Sequence, residues 1–247
     1  MGRREDIMSM RRVPLILVAV AALAVGACSR QPGSTAAPGA TSPNATAPST
    51  GGVQATTPAP PTKEPTASPA EYRVSYGWAV PSKLVTINHP LTAPIAQPPA
   101  PPLPYLVAIY VGDHPEASPK YSRISFYFRG AFPSYNFEYA KQVLDEGRGE
   151  PISLEGNSYL GIHFVDAQAH DGAGKSTVKT SPKSHIGFRN LTSYGFGGDF
   201  EGHVTYGLGI QVAPNSDQVL AIRAGELKKP DGSGDFYYVV HFDVRNG

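Results

Sequence analysis

From residue 105 onward the apolar positions recur every second residue, the period of a strand with one buried and one solvated face, not of a helix. Ile124, Phe126 and Phe128 alternate with Arg123, Ser125, Tyr127 and Arg129. A proline-containing turn at residues 131–134 follows, and Tyr135, Phe137 and Tyr139 then alternate again, which predicts a hairpin. The same pattern recurs at Leu160, Ile162 and Phe164; at Val204, Tyr206, Leu208, Ile210 and Val212; at Leu220 and Ile222; and at Phe236, Tyr238, Val240, Phe242 and Val244. With a first strand near residues 105–111 and another around 186–192, about eight strands are expected. The fold class is all-β, an antiparallel β-sandwich or half-open barrel. The best place for a helix is a single turn near residues 139–145, and no long amphipathic helix is available to flank a parallel sheet.

The chain before this domain has a different composition. Residues 29–70 contain 35 Pro, Thr, Ser, Ala or Gly among 42 positions and no aromatic side chain, too little apolar surface to offset the entropy of ordering. A disordered tether is expected over residues 28–70, with a reach of roughly 35–40 Å as a coil and up to about 130 Å as extended polyproline. Its Thr-Pro density suits O-linked sugars, and Asn44-Ala45-Thr46 is an N-linked sequon. Residues 71–104 form a proline-rich collar. Its apolar cluster of Tyr72, Tyr76, Trp78, Leu84, Val85 and Ile87 is expected to pack on the neighbouring domain of residues 105–247.

Residues 1–27 read as an export signal, with a basic start, thirteen apolar residues over 13–25, and then Gly26, Ala27 and Cys28. Thirteen residues span roughly 20 Å as a helix, too short for a bilayer core near 30 Å. The small residues before Cys28 resemble a lipobox, and Cys28 is the single cysteine of the chain. A lone cysteine in an exported protein has no internal disulfide partner, which fits lipidation and anchorage to the outer face of the cell membrane. The pairs Arg3-Arg4 and Arg11-Arg12 leave Sec and twin-arginine export both open. The 21 Lys and Arg against 20 Asp and Glu give no basic excess for nucleic acid.

Chemistry-bearing motifs are sparse. Residues 169–176, Ala-His-Asp-Gly-Ala-Gly-Lys-Ser, satisfy the looser form of a phosphate-binding loop, but the Thr-Val-Lys-Thr-Ser-Pro that follows cannot open the required helix. A long, flexible surface loop over residues 166–184 is the expectation. The seven histidines show no metal-ligand spacing, and neither a nucleophile elbow nor a metalloprotease motif occurs, so no cofactor or metal is expected. Asp199 and Glu201, two apart, would share one face on a strand and could act in glycoside chemistry, but a turn or strand-edge charge cluster is the expectation.

Four segments together carry a resemblance: Val111-Gly-Asp-His114, the run Ser122-Arg-Ile-Ser-Phe-Tyr-Phe-Arg-Gly130, Pro133-Ser-Tyr-Asn-Phe-Glu-Tyr139, and Gly198-Asp-Phe-Glu-Gly-His-Val-Thr-Tyr-Gly-Leu-Gly209. They resemble the AMIN-like domain of actinobacterial lipoproteins. Ser122 stands where the pattern would place an aspartate, and residues 229–238 replace a shorter lead-in to the last strand. The resemblance implies a sandwich similar to the AMIN domain, a noncatalytic module that localises cell-wall enzymes and secretion components to the envelope through peptidoglycan. Sugar recognition uses aromatic faces and carboxylates, so the candidate binding residues are Trp78, Arg123, Asp171, Asp199, Glu201 and Tyr206. An envelope-protein partner, carriage of a hydrophobic ligand, and a hydrolase are the alternatives.

Overall fold

The computed structural model describes residues 70–214 and 219–247. Residues 1–27, expected as an export signal, together with Cys28 and nearly all of the expected tether, lie outside the described residues. Ten strands are present among the described residues: β1 (Glu71–Ala79), β2 (Val85–Ile87), β3 (Tyr105–His114), β4 (Tyr121–Arg129), β5 (Ser134–Ala140), β6 (Ser158–Val165), β7 (Leu191–Phe200), β8 (His203–Ile210), β9 (Ile222–Pro230) and β10 (Phe236–Arg245). They form two five-stranded sheets, β1-β9-β10-β4-β3 and β2-β5-β6-β8-β7, in which every strand pair is antiparallel. The sheets stack as a sandwich and do not close into a barrel.

Within residues 71–104, expected as a collar, residues 71–87 supply an edge strand to each sheet: β1 pairs with β9 and β2 with β5. The expected helical turn at 139–145 is absent. Tyr139 and Ala140 finish β5, and the chain then turns at Asp145, whose side chain accepts hydrogen bonds from the amides of Gly147 and Arg148. Such Asx turns compete with helix at its own starting residues.

The inward faces interdigitate around an aromatic cluster. Phe126 meets Phe164 at 5.1 Å and Tyr206 at 5.0 Å, Phe128 meets Phe164 at 4.9 Å, and Phe242 meets Phe137 at 5.1 Å between ring centroids. These rings are buried, and their edge-to-face or tilted geometry is the one the aromatic quadrupole favours. At one end of this core the inward row of β9 carries a carboxylate, Glu226. It accepts hydrogen bonds from Tyr135 Oη at 2.8 Å and from Arg73 at 2.5 Å, and lies 2.9 Å from His89 Nε2. The three partners come from β5, β1 and the segment after β2, so one buried charge joins both edges to the core.

Part of the outward face of the first sheet is also covered. His241 of β10 is 2 % exposed, lies opposite Gly225 of β9, and is stacked on by Tyr72 at 5.6 Å with 13° between the rings. A Cβ at position 225 would fall 2.7 Å from the imidazole, so glycine is what leaves the ring its slot. Next along β10, Asp243 is fully buried and lies in register with Arg123 of β4 and Arg223 of β9.

Residues 166–184 are an irregular surface segment, as expected, but one that is tied down along its length. They lie along the outer edge of β3, joined to it and to Pro104 by five hydrogen bonds. Gln168 donates to Pro104 O and accepts from Leu106 N, Lys179 donates to Val107 O, Ile109 N donates to Thr180 O, and Thr177 Oγ1 donates to Leu106 O. Two of these contacts have parallel-bridge geometry, Tyr105 with Gln168 and Ala108 with Thr180. Val107 is the residue bulged out of the β3–β4 ladder, so its carbonyl is free for Lys179. An edge strand otherwise presents unpaired backbone groups, and this segment satisfies them.

Candidate functional site

The side of the sandwich where β3 and β7 face each other is open. A cleft of about 800 Å³ occupies it, within the size range of ligand sites. Ile109 of β3 lies on one side, Tyr194, Phe196 and Asp199 of β7 on another, and residues between Ala169 and Ser184 complete the wall. Tyr206 of β8 belongs both to the core and to the cleft. It is 4 % exposed and packs on Phe126 within the core, while Phe196 lies 5.4 Å and Tyr194 6.3 Å from its ring. Burial, with Tyr194 and Asp199 close by, pushes the Tyr206 hydroxyl well above the usual phenol range, so it is a neutral hydrogen-bonding group.

Asp199 is the polar centre of the cleft. Its side chain is 10 % exposed; Oδ2 accepts the amide of Ala169 at 2.8 Å and lies 2.5 Å from His170 Nδ1. Oδ1 is buried and has no partner among the described residues. A buried carboxylate oxygen without a donor costs free energy that a ligand hydroxyl or amide would recover. Glu201 also lines the cleft, and it does so from a turn rather than from a strand face. The β7–β8 hairpin pairs Phe200 with His203, which places Glu201 and Gly202 in the two-residue turn with φ of 49° and 81°. Both signs are those of a type I′ turn. Asp199 and Glu201 therefore do not share a strand face; they reach the same cleft from a strand and from its turn.

The other candidates lie elsewhere. Asp171 closes the turn between His170 and Ser176, accepting the amides of Ala173 and Lys175, and these two hydrogen bonds hold its carboxyl below the usual range. The amides that a phosphate loop would offer to a ligand are thus taken up by the loop's own aspartate, and no helix follows. Trp78 and Arg123 sit together on the outward face of the first sheet. Arg223 lies over the Trp78 ring at 4.7 Å, Tyr121 stands 5.9 Å from Trp78, and Arg123 pairs with Asp243 at 2.6 Å. Of the six binding candidates, Asp199, Glu201 and Tyr206 line one cleft, Trp78 and Arg123 share a second surface, and Asp171 belongs to neither.

Reading the sequence missed His170, Phe196 and Phe200 as neighbours of this cleft. Phe196 and Phe200 are 51 % and 63 % exposed, although they sit in the most glycine-rich run of the domain. An aromatic residue amid glycines on a polar strand is the available signal, since such a ring has little local packing to join. The histidines are dispersed: His163 contacts Glu146 and Thr205, His185 contacts Glu155, and His89 contacts Glu226. Among the described residues no group of three His, Cys, Asp or Glu is placed to hold a metal ion.

No curated protein and no solved structure matches the chain. The AMIN-like domain family model matches residues 104–226, which run from the start of β3 to Glu226 within β9. The sandwich recruits β1, β2 and β10 from beyond that span. The resemblance carried by the β4–β5 hairpin and by the Gly198–Gly209 segment is therefore a match in fact, and the protein carries an AMIN-like domain over residues 104–226, a kind of binding module associated with the cell envelope.

Proposed function

We propose that this chain is an exported lipoprotein, anchored through Cys28, whose AMIN-like sandwich binds the glycan of peptidoglycan without transforming it. The observation that carries the reading is the company Asp199 keeps. The exposed rings of Phe196 and Phe200, the buried carboxylate with its unpartnered oxygen, Glu201 and His170 all line one open cleft. Ring faces for stacking on sugar C–H groups and carboxylates for sugar hydroxyls are what glycan recognition asks for.

The test is cosedimentation of the full-length chain, kept soluble in detergent, with protein-free peptidoglycan before and after muramidase digestion. Saturable binding that digestion removes is expected. The double variant Phe196→Ala, Phe200→Ala is expected to bind about tenfold or more weakly, since each stacked ring contributes about 0.5–1.5 kcal/mol. Because both rings are exposed, the variant should retain the thermal stability of the parent. Equal binding by parent and variant would sink the cleft as the glycan site.

Anchorage has its own test, in which Cys28→Ser should move the protein from the membrane fraction to the soluble envelope fraction. Unchanged membrane retention would remove the lipid anchor from the proposal. A second reading, an envelope-protein partner, is favoured by Tyr72, Val74, Val80 and Leu84, four exposed apolar side chains on β1 and the segment just after it. Absence of peptidoglycan binding together with in-cell crosslinking from position 74 would favour it.

A further inference from the structure

The outward face of the first sheet carries a second depression, of about 450 Å³, at its β3 side. It shares a wall with the cleft described above. Ile109 and Val178 line the cleft, while their chain neighbours Tyr110 and Lys179 line this pocket, because successive residues of an extended segment point to opposite sides. The two sites differ in charge. Among the described residues, the cleft is lined by Asp199 and Glu201 with no lysine or arginine, and the pocket by Arg129, Lys179 and Lys229 with no carboxylate.

The pocket's cations are not equivalent. Arg129 is engaged, at 2.6 Å from Asp231 and 3.3 Å from Asp235, and its guanidinium lies 4.1 Å from the centre of the Tyr237 ring. Lys229 instead rests among aromatics, 4.9 Å from the Tyr127 ring centre and 5.9 Å from that of Tyr237, and donates to Tyr127 Oη at 3.5 Å. Lys179 has only the carbonyl of Ser176 at 3.4 Å. Neither lysine has a carboxylate partner among the described residues. Tyr110, Tyr127 and Tyr237 form a chain of edge-on rings with centroids 4.9 and 5.6 Å apart, and all three line the pocket.

We infer that this pocket is a second binding site, for an anionic group, carboxylate or phosphate, carried on an envelope polymer. Two ammonium groups with no ion-paired carboxylate among the described residues supply the attraction, and the tyrosines supply contact area for whatever bears the anion. An anionic lipid surface is the less suitable occupant, since recruitment to a bilayer takes clusters of about four to eight basic residues, and this concave site offers three, one already paired. The inference does not depend on the glycan cleft, which lies on the other side of the β3 wall.

The experiment compares the full-length protein with its Lys179→Gln, Lys229→Gln double variant, using Lys183→Gln as the control for an exposed lysine outside the pocket. Four probes are used: peptidoglycan bearing phosphodiester-linked polymer, the same material after hydrofluoric acid removes that polymer, stripped material with its free carboxylates amidated, and phosphatidylglycerol vesicles. The double variant is expected to bind at least one anionic polymer about tenfold more weakly, with a shallower dependence on salt, while the control matches the parent. Loss of the lysine-dependent binding on acid stripping assigns a phosphate; survival through stripping and loss on amidation assigns a carboxylate. Binding to both polymers that is unchanged in the double variant would overturn the inference, as would lysine dependence confined to vesicles. Failure of the glycan cleft would show differently, as muramidase-resistant binding or insensitivity to the Phe196, Phe200 variant.

Discussion

Replacing Asp243 by alanine is expected to lower the unfolding free energy by about 3–5 kcal/mol, the usual result of removing one partner from a buried ion pair. The side chain is fully buried and accepts from two arginines on its two neighbouring strands: Arg123 Nε at 2.6 Å and Nη2 at 3.0 Å, and Arg223 Nε at 2.7 Å, with Arg223 Nη2 also 2.6 Å away. Those arginines are covered in turn by Tyr121 and Trp78, whose rings lie 4.7 to 5.3 Å from a guanidinium carbon. Without the carboxylate, two cations face each other across β10. Each is 22–26 % exposed, so some of the repulsion would be relieved by turning toward water, which sets the lower end of the range. Denaturant unfolding measures the loss. Combining Asp243→Ala with Arg123→Met and Arg223→Met should recover part of it, and a single-variant loss under about 1 kcal/mol would mean that the network contributes little.

Acid should destabilise the domain before ordinary carboxylates titrate, and His241 is the reason. Burial, then Arg123 and Arg223, push its pKa from 6.5 down to about 4, with Asp243 and Glu226 acting in the opposite sense. The unfolded chain takes up this proton below its ordinary value while the folded protein resists until about 4. Stability is therefore full above pH 6.5 and declines as the pH falls through this window, by about 3 kcal/mol in all. Glu226 continues the decline. Burial raises its pKa, but hydrogen bonds from His89, Tyr135 and Arg73 outweigh burial and hold it below the usual value, so its contribution is lost at still lower pH. Measuring unfolding free energy from pH 7.5 to 4 checks this, and the slope should flatten in His241→Gln whatever that variant does to stability at neutral pH. An equally steep slope in both proteins would assign the acid sensitivity elsewhere.

The strands that were legible in the sequence are those whose inward rows are wholly apolar. Ile124, Phe126 and Phe128 announce β4, Leu160, Ile162 and Phe164 announce β6, and Val240, Phe242 and Val244 announce β10. The strand expected at 186–192 in fact runs from Leu191 to Phe200, because Gly195, Gly197 and Gly198 erase the alternation where ladder pairing decides the structure. The strand expected at 220–222 extends to Pro230, and its inward row continues through Ala224 to Glu226, where a charge reads as solvent until Tyr135, His89 and Arg73 are seen around it. At the cleft, Asp199, Glu201 and Tyr206 were visible as residue types. His170 and the open seam were not, because the contact spans 29 residues of chain and depends on where residues 166–184 lie against β3.

The order of strands in the first sheet also governs when the domain can form. β10 runs between β9 and β4 at the middle of that sheet, yet it comes last along the chain, and β1 at the sheet's edge pairs with a strand about 150 residues later. Until Phe236–Arg245 has been synthesised, β4 lacks one neighbour, β9 lacks another, and the aromatic core lacks Phe242. Pairings of such long sequence separation form slowly and only once both partners are available. A nascent chain with this topology cannot complete its first sheet until the last of these strands has been made, so the sandwich is closed late rather than grown strand by strand.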